Sequence, residues 1–335
     1  MLALVSGLPA AGGLNTNVAL ALVDQARTAQ EQKYRERQVL DPATDEWTTQ
    51  PAAAEAAPAN ELDHARELLA RGEPRRARRL MQKWAKQNQG HERYYEGVYL
   101  YGDALFECGD FYKAYEQYEQ VVENTAGELF RQALAREKDV ALAFLSGRKR
   151  IVWKILRLPA YDEALDVLTR IWERVPGSRL GEDALEIKAR YHYERGDMDL
   201  AQDEYANLAR EYPAGRFIQF AMLRSAEAAE AAFPGTRFDD RPLLEASERY
   251  RQMQSSFPAY AERANVAPRL DGIRQKRAAK DFDIARWYER TRQPAAAEFY
   301  FRLILKDWPD TLAAAEARQR LRALGIELEA GEVQR

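Results

Sequence analysis

The stretch Gly181–Pro213 reads GEDALEIKARYHYERGDMDLAQDEYANLAREYP. Leu185, Ala189, His192 and Tyr193 recur at spacings of three and four, which places them on one face of a helix. Beyond Gly196-Asp197 the pattern resumes with Ala201, Tyr205 and Leu208 and stops at Pro213, a residue that cannot continue a helix from its interior. Gly196 stands where a helix closes in the left-handed conformation. The stretch therefore predicts two helices joined by a tight turn. One such pair cannot bury both its faces alone, so neighbouring pairs must stack on it.

At about 34 residues the pair has the size of a tetratricopeptide (TPR) repeat. Working outward, a first pair has Ala65, Leu68 and Leu69, a turn at Arg71-Gly72-Glu73, then Ala77, Leu80, Met81 and Trp84, with Asn60 as its expected helix cap. A second has Val98, Tyr101, Gly102 and Leu105, then Gly109-Asp110, then Ala114, Tyr118 and Val121. An extra helix is predicted from Glu128 to Leu145. A third pair would open with Ile151, Val152 and Ile155 and continue with Ala164, Leu168 and Ile171. The opening stretch is the fourth. A fifth runs from Arg216 to Pro258 around the long turn Pro234–Pro242. A sixth has one helix from Ala261 to Arg290, a turn at Thr291–Pro294, then Ala297, Phe301 and Ile304. A last helix, Thr311 to Leu324, would cap the array. The expected fold is all-α: a TPR-type helical-hairpin solenoid, a right-handed superhelix of five to six divergent repeats. Ala77, Ala114, Ala164, Ala201, Ala246 and Ala297 are expected where two helices cross closely, each with a bulky residue four positions on.

Flanking segments differ. Residues 1–23 are apolar and small, and Ala19-Leu20-Ala21 has the small-x-small form of a signal-peptidase site. The lack of a preceding Lys or Arg and the interruption Gly-Gly-Leu-Asn-Thr-Asn keep a disordered apolar segment open as the second reading. Residues 24–59 read as a polar, then Ala/Pro-rich linker, in which Val39–Thr49 could form a short extended piece. The solenoid is expected over 60–324 and a frayed tail over 325–335.

Composition narrows function. The chain has 335 residues, 46% of them hydrophobic, and a net charge of −3 with both signs interspersed, which gives no electrostatic case for nucleic acid. Cys108 is the single cysteine, which excludes an intrachain disulfide and multi-cysteine metal sites; a lipid-anchoring cysteine after the apolar segment is also missing from this sequence. His64, His91 and His192 are too scattered for a metal cluster. No phosphate-binding glycine loop, nucleophile elbow or paired metal ligands occur, so no catalytic residue, cofactor or metal is expected. His192 is expected as a buried, hydrogen-bonded imidazole, Cys108 as a buried small side chain, and Glu227 and Glu230 as solvated carboxylates. Arg71–Lys83 spreads its charges around its helix as a solvated surface does. Arg148–Arg157 (RKRIVWKILR) is basic and amphipathic; it reads either as the first helix of the third pair or as a membrane-surface helix. No segment is long and apolar enough for a spanning helix.

Two sets of binding residues stand out. Glu96, Tyr99, Asp103 and Phe106 share a face of the first helix of the second pair, where they could line a concave peptide groove; packing between helices accounts for the same tyrosines. The second set lies near the C-terminus. Arg274–Tyr288 (RQKRAAKDFDIARWY), Ala297-Glu298-Phe299-Tyr300, Lys306–Thr311 (KDWPDT) and Asp239–Ala246 together resemble the C-terminal part of the BamD family, best over residues 180–323. The resemblance implies a periplasmic or outer-membrane-associated, non-enzymatic scaffold for outer-membrane β-barrel protein assembly. Its implied partners are a β-barrel assembly subunit and unfolded outer-membrane protein segments, with peripheral membrane association and with Arg286, Trp287 and Trp308 facing the partner. A generic TPR adaptor, periplasmic or cytoplasmic, is the alternative.

Overall fold

The computed structural model describes the backbone of residues 36–40, 47–51, 56–152 and 156–328, and the side chains of 61–149 and 159–328. The expectations for residues 1–23 and for 329–335 lie outside the described residues. The chain divides into two compact units, Met1–Ala65 and Arg66–Arg335.

In the first unit, β1 (Glu36–Leu40) pairs antiparallel with β2 (Trp47–Pro51), Leu40 opposite Trp47. The expected linker thus carries a hairpin, and the extended piece around Trp47 is one of its strands. Helix α1 (Ala56–Ala70) begins before Asn60, so Asn60 is not its cap. Ala56 and Ala57 favour helix, and Pro58 falls in the first turn, where its missing N–H leaves no bond unmade.

The second unit is a stack of helical pairs. α2 (Pro74–Gln87) follows the Gly72 turn, and Leu68 near the end of α1 packs with Ala77 of α2. Then come α3 (Tyr94–Glu107) with α4 (Phe111–Asn124), α5 (Gly127–Leu145) with α6 (Tyr161–Arg174), and α7 (Arg179–Arg195) with α8 (Met198–Glu211). α9 (Ile218–Ala231) pairs with α10 (Arg241–Ser256). A short α11 (Pro258–Arg263) leads to α12 (Val266–Arg290), which pairs with α13 (Pro294–Asp307), and α14 (Leu312–Ala323) covers the last pair. The fold class is as expected: a TPR-type helical solenoid.

The crossings follow the small-plus-large rule. Ala77, Ala114, Ala164, Ala201, Ala246 and Ala297 are all fully buried. Four residues on, Met81, Tyr118, Leu168, Tyr205, Tyr250 and Phe301 are buried as well. Gly196 closes α7 at φ +82°, and the Ser178 hydroxyl opens it by accepting the Gly181 N–H at 3.0 Å.

Three further expectations need correction. The segment after α5 is not a helix: β3 (Lys149–Val152) and β4 (Leu156–Pro159) form an antiparallel hairpin. The β-branched residues Ile151 and Val152 and the terminal Pro159 suit extended backbone better than helix. This removes the amphipathic membrane helix, and α5, read above as an extra helix, is the first helix of the third pair. The predicted helix from Ala261 to Arg290 is broken at Asn265, which adopts φ +54°; asparagine tolerates that region, and Pro268 then sits in the first turn of α12. Finally, the chain after Gly325 is not frayed through Leu328. The Ile326 N–H donates to the Leu321 carbonyl at 3.0 Å, and Ile326 and Leu328 pack on the C-terminal core.

Candidate protein-binding surfaces

The first helices of successive pairs lie side by side and are tied by polar rungs. Arg136 of α5 donates to Asp103 of α3 at 2.8 Å, and Lys138 of α5 to Asp183 of α7 at 3.2 Å. Arg224 of α9 donates to the Tyr193 hydroxyl of α7 at 3.3 Å. Arg269 and Lys276 of α12 reach Glu227 and Glu230 of α9 at 2.7 and 2.6 Å. Glu227 and Glu230 are therefore not the solvated carboxylates read from the sequence. Opposite charges on adjacent pairs were invisible there because the partners stand some forty residues apart.

Three of the four predicted groove residues sit within this ladder. Tyr99, Asp103 and Phe106 are half-buried along α3. Asp103 accepts from the Tyr118 hydroxyl at 2.7 Å as well as from Arg136, whose guanidinium covers the Phe106 ring at 4.8 Å. Burial, then the adjacent Asp103, pushes the Tyr99 phenol up to about 12. Glu96 is held apart from them, accepting from Arg93 at 2.6 and 2.8 Å and from Arg66. Asp103 and Phe106 are thus committed to packing and pairing. Tyr99 keeps a half-exposed ring on this face, tilted against Tyr118 at 5.8 Å.

Near the C-terminus the predicted residues separate by role. Trp308 is half-buried: its indole N–H donates to Asp281 at 2.7 Å, and the Arg277 guanidinium lies 4.9 Å over its ring. Arg277 and Lys280 in turn donate to Asp240, which precedes α10, at 2.9 and 3.2 Å. Burial alone would raise Asp240; the two cations outweigh it and hold the carboxyl below its ordinary value. The residues that carried the family resemblance thus form one internal network joining the fifth pair to the sixth. Arg286 is half-buried, and its Nε meets no hydrogen-bond partner among the described residues.

Trp287 is different, with 49% of its surface exposed. It meets Tyr288 edge-on at 4.9 Å; Tyr288 stacks on Tyr300 at 5.3 Å, and Tyr300 meets Phe299, which is 62% exposed, at 5.5 Å. This run of four rings joins the end of α12 to the start of α13. Sequence reasoning singled out Trp287 and passed over Phe299. The signal was present: Phe299 lies two residues from both Ala297 and Phe301, so it cannot share their buried face.

Two residues expected in the interior differ in detail. His192 is buried, but its Nδ1 makes no hydrogen bond among the described residues, the Asp197 carboxylate being 3.7 Å away. Cys108 is only half-buried, at the end of α3. Among the described residues no group of three or more His, Cys, Asp or Glu side chains is placed to hold a metal ion, and no helix is long and apolar enough to cross a membrane.

The family model described as "YfiO: Outer membrane lipoprotein" matches residues 153–332, the span from the hairpin turn through α14. This chain belongs to the YfiO family. YfiO is the BamD-type family whose motifs carried the resemblance, and a TPR array of this family is a protein-interaction scaffold. Three solved structures similar to this YfiO-family chain are TPR or TPR-like proteins or a pilus factor. One is the C-terminal part of a TPR repeat-containing protein from Cytophaga hutchinsonii, 15% identical, covering 79% of this chain and 89% of that one at a TM-score of 0.39. A second is a tetratricopeptide repeat protein from Parabacteroides merdae, 8% identical, covering 80% and 98% at 0.38. A third is PilW, described as a widely conserved type IV pilus biogenesis factor, 14% identical, covering 79% and 100% at 0.31. No curated protein matches the chain.

Proposed function

We propose that the chain is a non-enzymatic scaffold of the bacterial cell envelope that acts in the assembly of outer-membrane β-barrel proteins. The observation that carries this reading is the ring run Trp287–Tyr288–Tyr300–Phe299, exposed at its two ends, Trp287 and Phe299, and built within the span that matches the YfiO family. Aromatic side chains bury large area at small entropic cost and concentrate at protein–protein interfaces. Here two of them stand out from a helical pair whose own core is already filled by Phe282, Phe301 and Ile304. A β-barrel assembly subunit docks on this face, and unfolded barrel segments pass over the face that carries Tyr99. The protein works in the periplasm, associated with the outer membrane.

Affinity capture from solubilised envelope membranes tests the reading. The full chain is expected to recover a β-barrel assembly protein, and Trp287→Ala with Phe299→Ala to lose it. Recovery of cytosolic proteins alone would sink the proposal.

A further inference from the structure

A cavity of about 400 Å³ opens between α8 and α10, with α9 as its floor. It lies between second helices, on α9 residues other than the Arg224, Glu227 and Glu230 of the ladder, and shares no residue with the aromatic run of the last pair. Its apolar lining includes Ile218, Met222 and Phe257; its polar lining is Arg249 beside Ser225, with Gln252, Ser256 and Arg210, the last already bound to Asn207 and Glu211.

Arg249 is held in place yet unneutralised. Its Nη1 donates to the hydroxyl of Ser225, a residue 2% exposed, at 2.6 Å, and that hydroxyl donates to the Gln202 carbonyl at 2.9 Å. The guanidinium is oriented through one of its five donors. No carboxylate pairs with it among the described residues. The carboxylate one turn earlier on the same helix, Glu245, accepts instead from Gln202 at 3.1 Å. Nearby guanidiniums are treated otherwise: Arg224 and Arg269 both reach Glu227, at 2.7 Å each. An oriented guanidinium without an anion, in a recess with apolar walls, has the chemistry of a carboxylate receptor, because its planar fork matches a carboxylate with two parallel bonds.

We propose that this cavity binds an acidic residue together with an adjacent large apolar residue of a partner polypeptide. The carboxylate of the partner's Asp or Glu pairs with Arg249, and the apolar side chain lies against Ile218, Met222 and Phe257. The lining decides for two side chains: beside Arg249 it offers Ile218, Met222 and Phe257, apolar walls that a lone carboxylate would leave wet. A bare inorganic anion would likewise waste them. The proposal rests on the reading of the chain as a protein-binding scaffold and adds to it a second site with its own recognition chemistry.

The test uses the full chain and fluorescein-labelled hexapeptides, acetylated and amidated, with the sequence Gly-Ser-Glu-Phe-Gly-Ser. We expect binding that weakens about ten-fold or more when the peptide's Glu is replaced by Gln, as loss of a charge-assisted pair requires. Arg249→Gln is expected to weaken the acidic peptide equally and to leave the Gln peptide unchanged. Ala209→Trp places an indole on the α8 wall of the recess, leaves Arg249 itself unchanged, and is expected to abolish binding; it serves where Arg249→Gln does not fold by circular dichroism. Equal binding of the Glu and Gln peptides, equal binding by Arg249→Gln, or binding only of a peptide with a free C-terminal carboxylate would each overturn the site. Capture of a β-barrel assembly protein from membranes, run alongside, separates the two proposals. Capture without peptide binding overturns the cavity alone, whereas peptide binding without capture supports it and overturns only the assembly role.

Discussion

Gly102 has no side chain because the Tyr118 ring occupies the place. A Cβ there would meet Tyr118 Cε1 at 2.6 Å, and Tyr118 is fully buried with its hydroxyl bound to Asp103. Gly97 makes the same room for Trp84 one pair earlier. Gly102→Ala is therefore expected to destabilise the chain by about 1–3 kcal/mol, the range for overpacking a filled core, as is Ala201→Leu at the α7–α8 crossing; urea unfolding measures both. Arg292 presents the opposite opportunity. It holds φ +57° at the turn of the last pair, where the fourth pair uses Gly196. A non-glycine residue there costs about 1–2 kcal/mol, and glycine gives back part of that in chain entropy. Arg292→Gly should raise stability by about 0.5 kcal/mol on the same denaturation curve.

At the scale of the element, α5 carries a buried acid that the fold keeps protonated. Glu137 is fully buried, and burial, then the adjacent Glu119 carboxylate, pushes it up to about 9 from an ordinary 4.5. Glu119 is held low by Arg174, which donates to both its oxygens at 2.8 and 2.5 Å. Because the folded value of Glu137 lies above the unfolded one, the folded chain keeps a proton that the unfolded chain has released between about pH 4.5 and 9. The stabilisation from this group is complete below pH 4.5 and is lost as the pH rises through 9. Glu137→Gln should remove that slope, so its advantage over the parent chain grows from pH 5 to pH 8.5 in denaturant titrations. A variant that tracks the parent at both values would refute the assignment.

Across the whole molecule, the last helix among the described residues is α14, whose Ala313, Ala314, Ala317 and Leu321 cover Phe301, Ile304 and Leu305 of α13. Removing residues 311–335 strips that cover. It is expected to expose the C-terminal core, lower the melting temperature and promote self-association, read by light scattering. Trp287→Ala with Phe299→Ala should do neither, since neither side chain belongs to the buried C-terminal core; only partner capture should change.

The repeats were legible because helical periodicity, alanine at the crossings and punctuation by glycine and proline are local signals. They gave the pairs, the boundaries of α7 and α8 to within a few residues, and the capping helix. The motifs from Asp239 to Thr311 gave the family. What failed lay where local signals compete. Apolar residues at Ile151, Val152 and Ile155 fit a helical spacing, yet the first of these lie in a strand, because α5 had already supplied the helix that the third pair needed. The binding faces were legible only in part. Trp287 stood out by its type, but the pairing of Asp103 with Arg136, the commitment of Trp308 to Asp281 and the unneutralised state of Arg249 join residues far apart in the chain. The sequence by itself determined which segments are helices and that they stack. Tertiary structure alone decided which polar and aromatic side chains are used up inside the stack and which stay free for a partner, because that depends on what the neighbouring pair brings within reach.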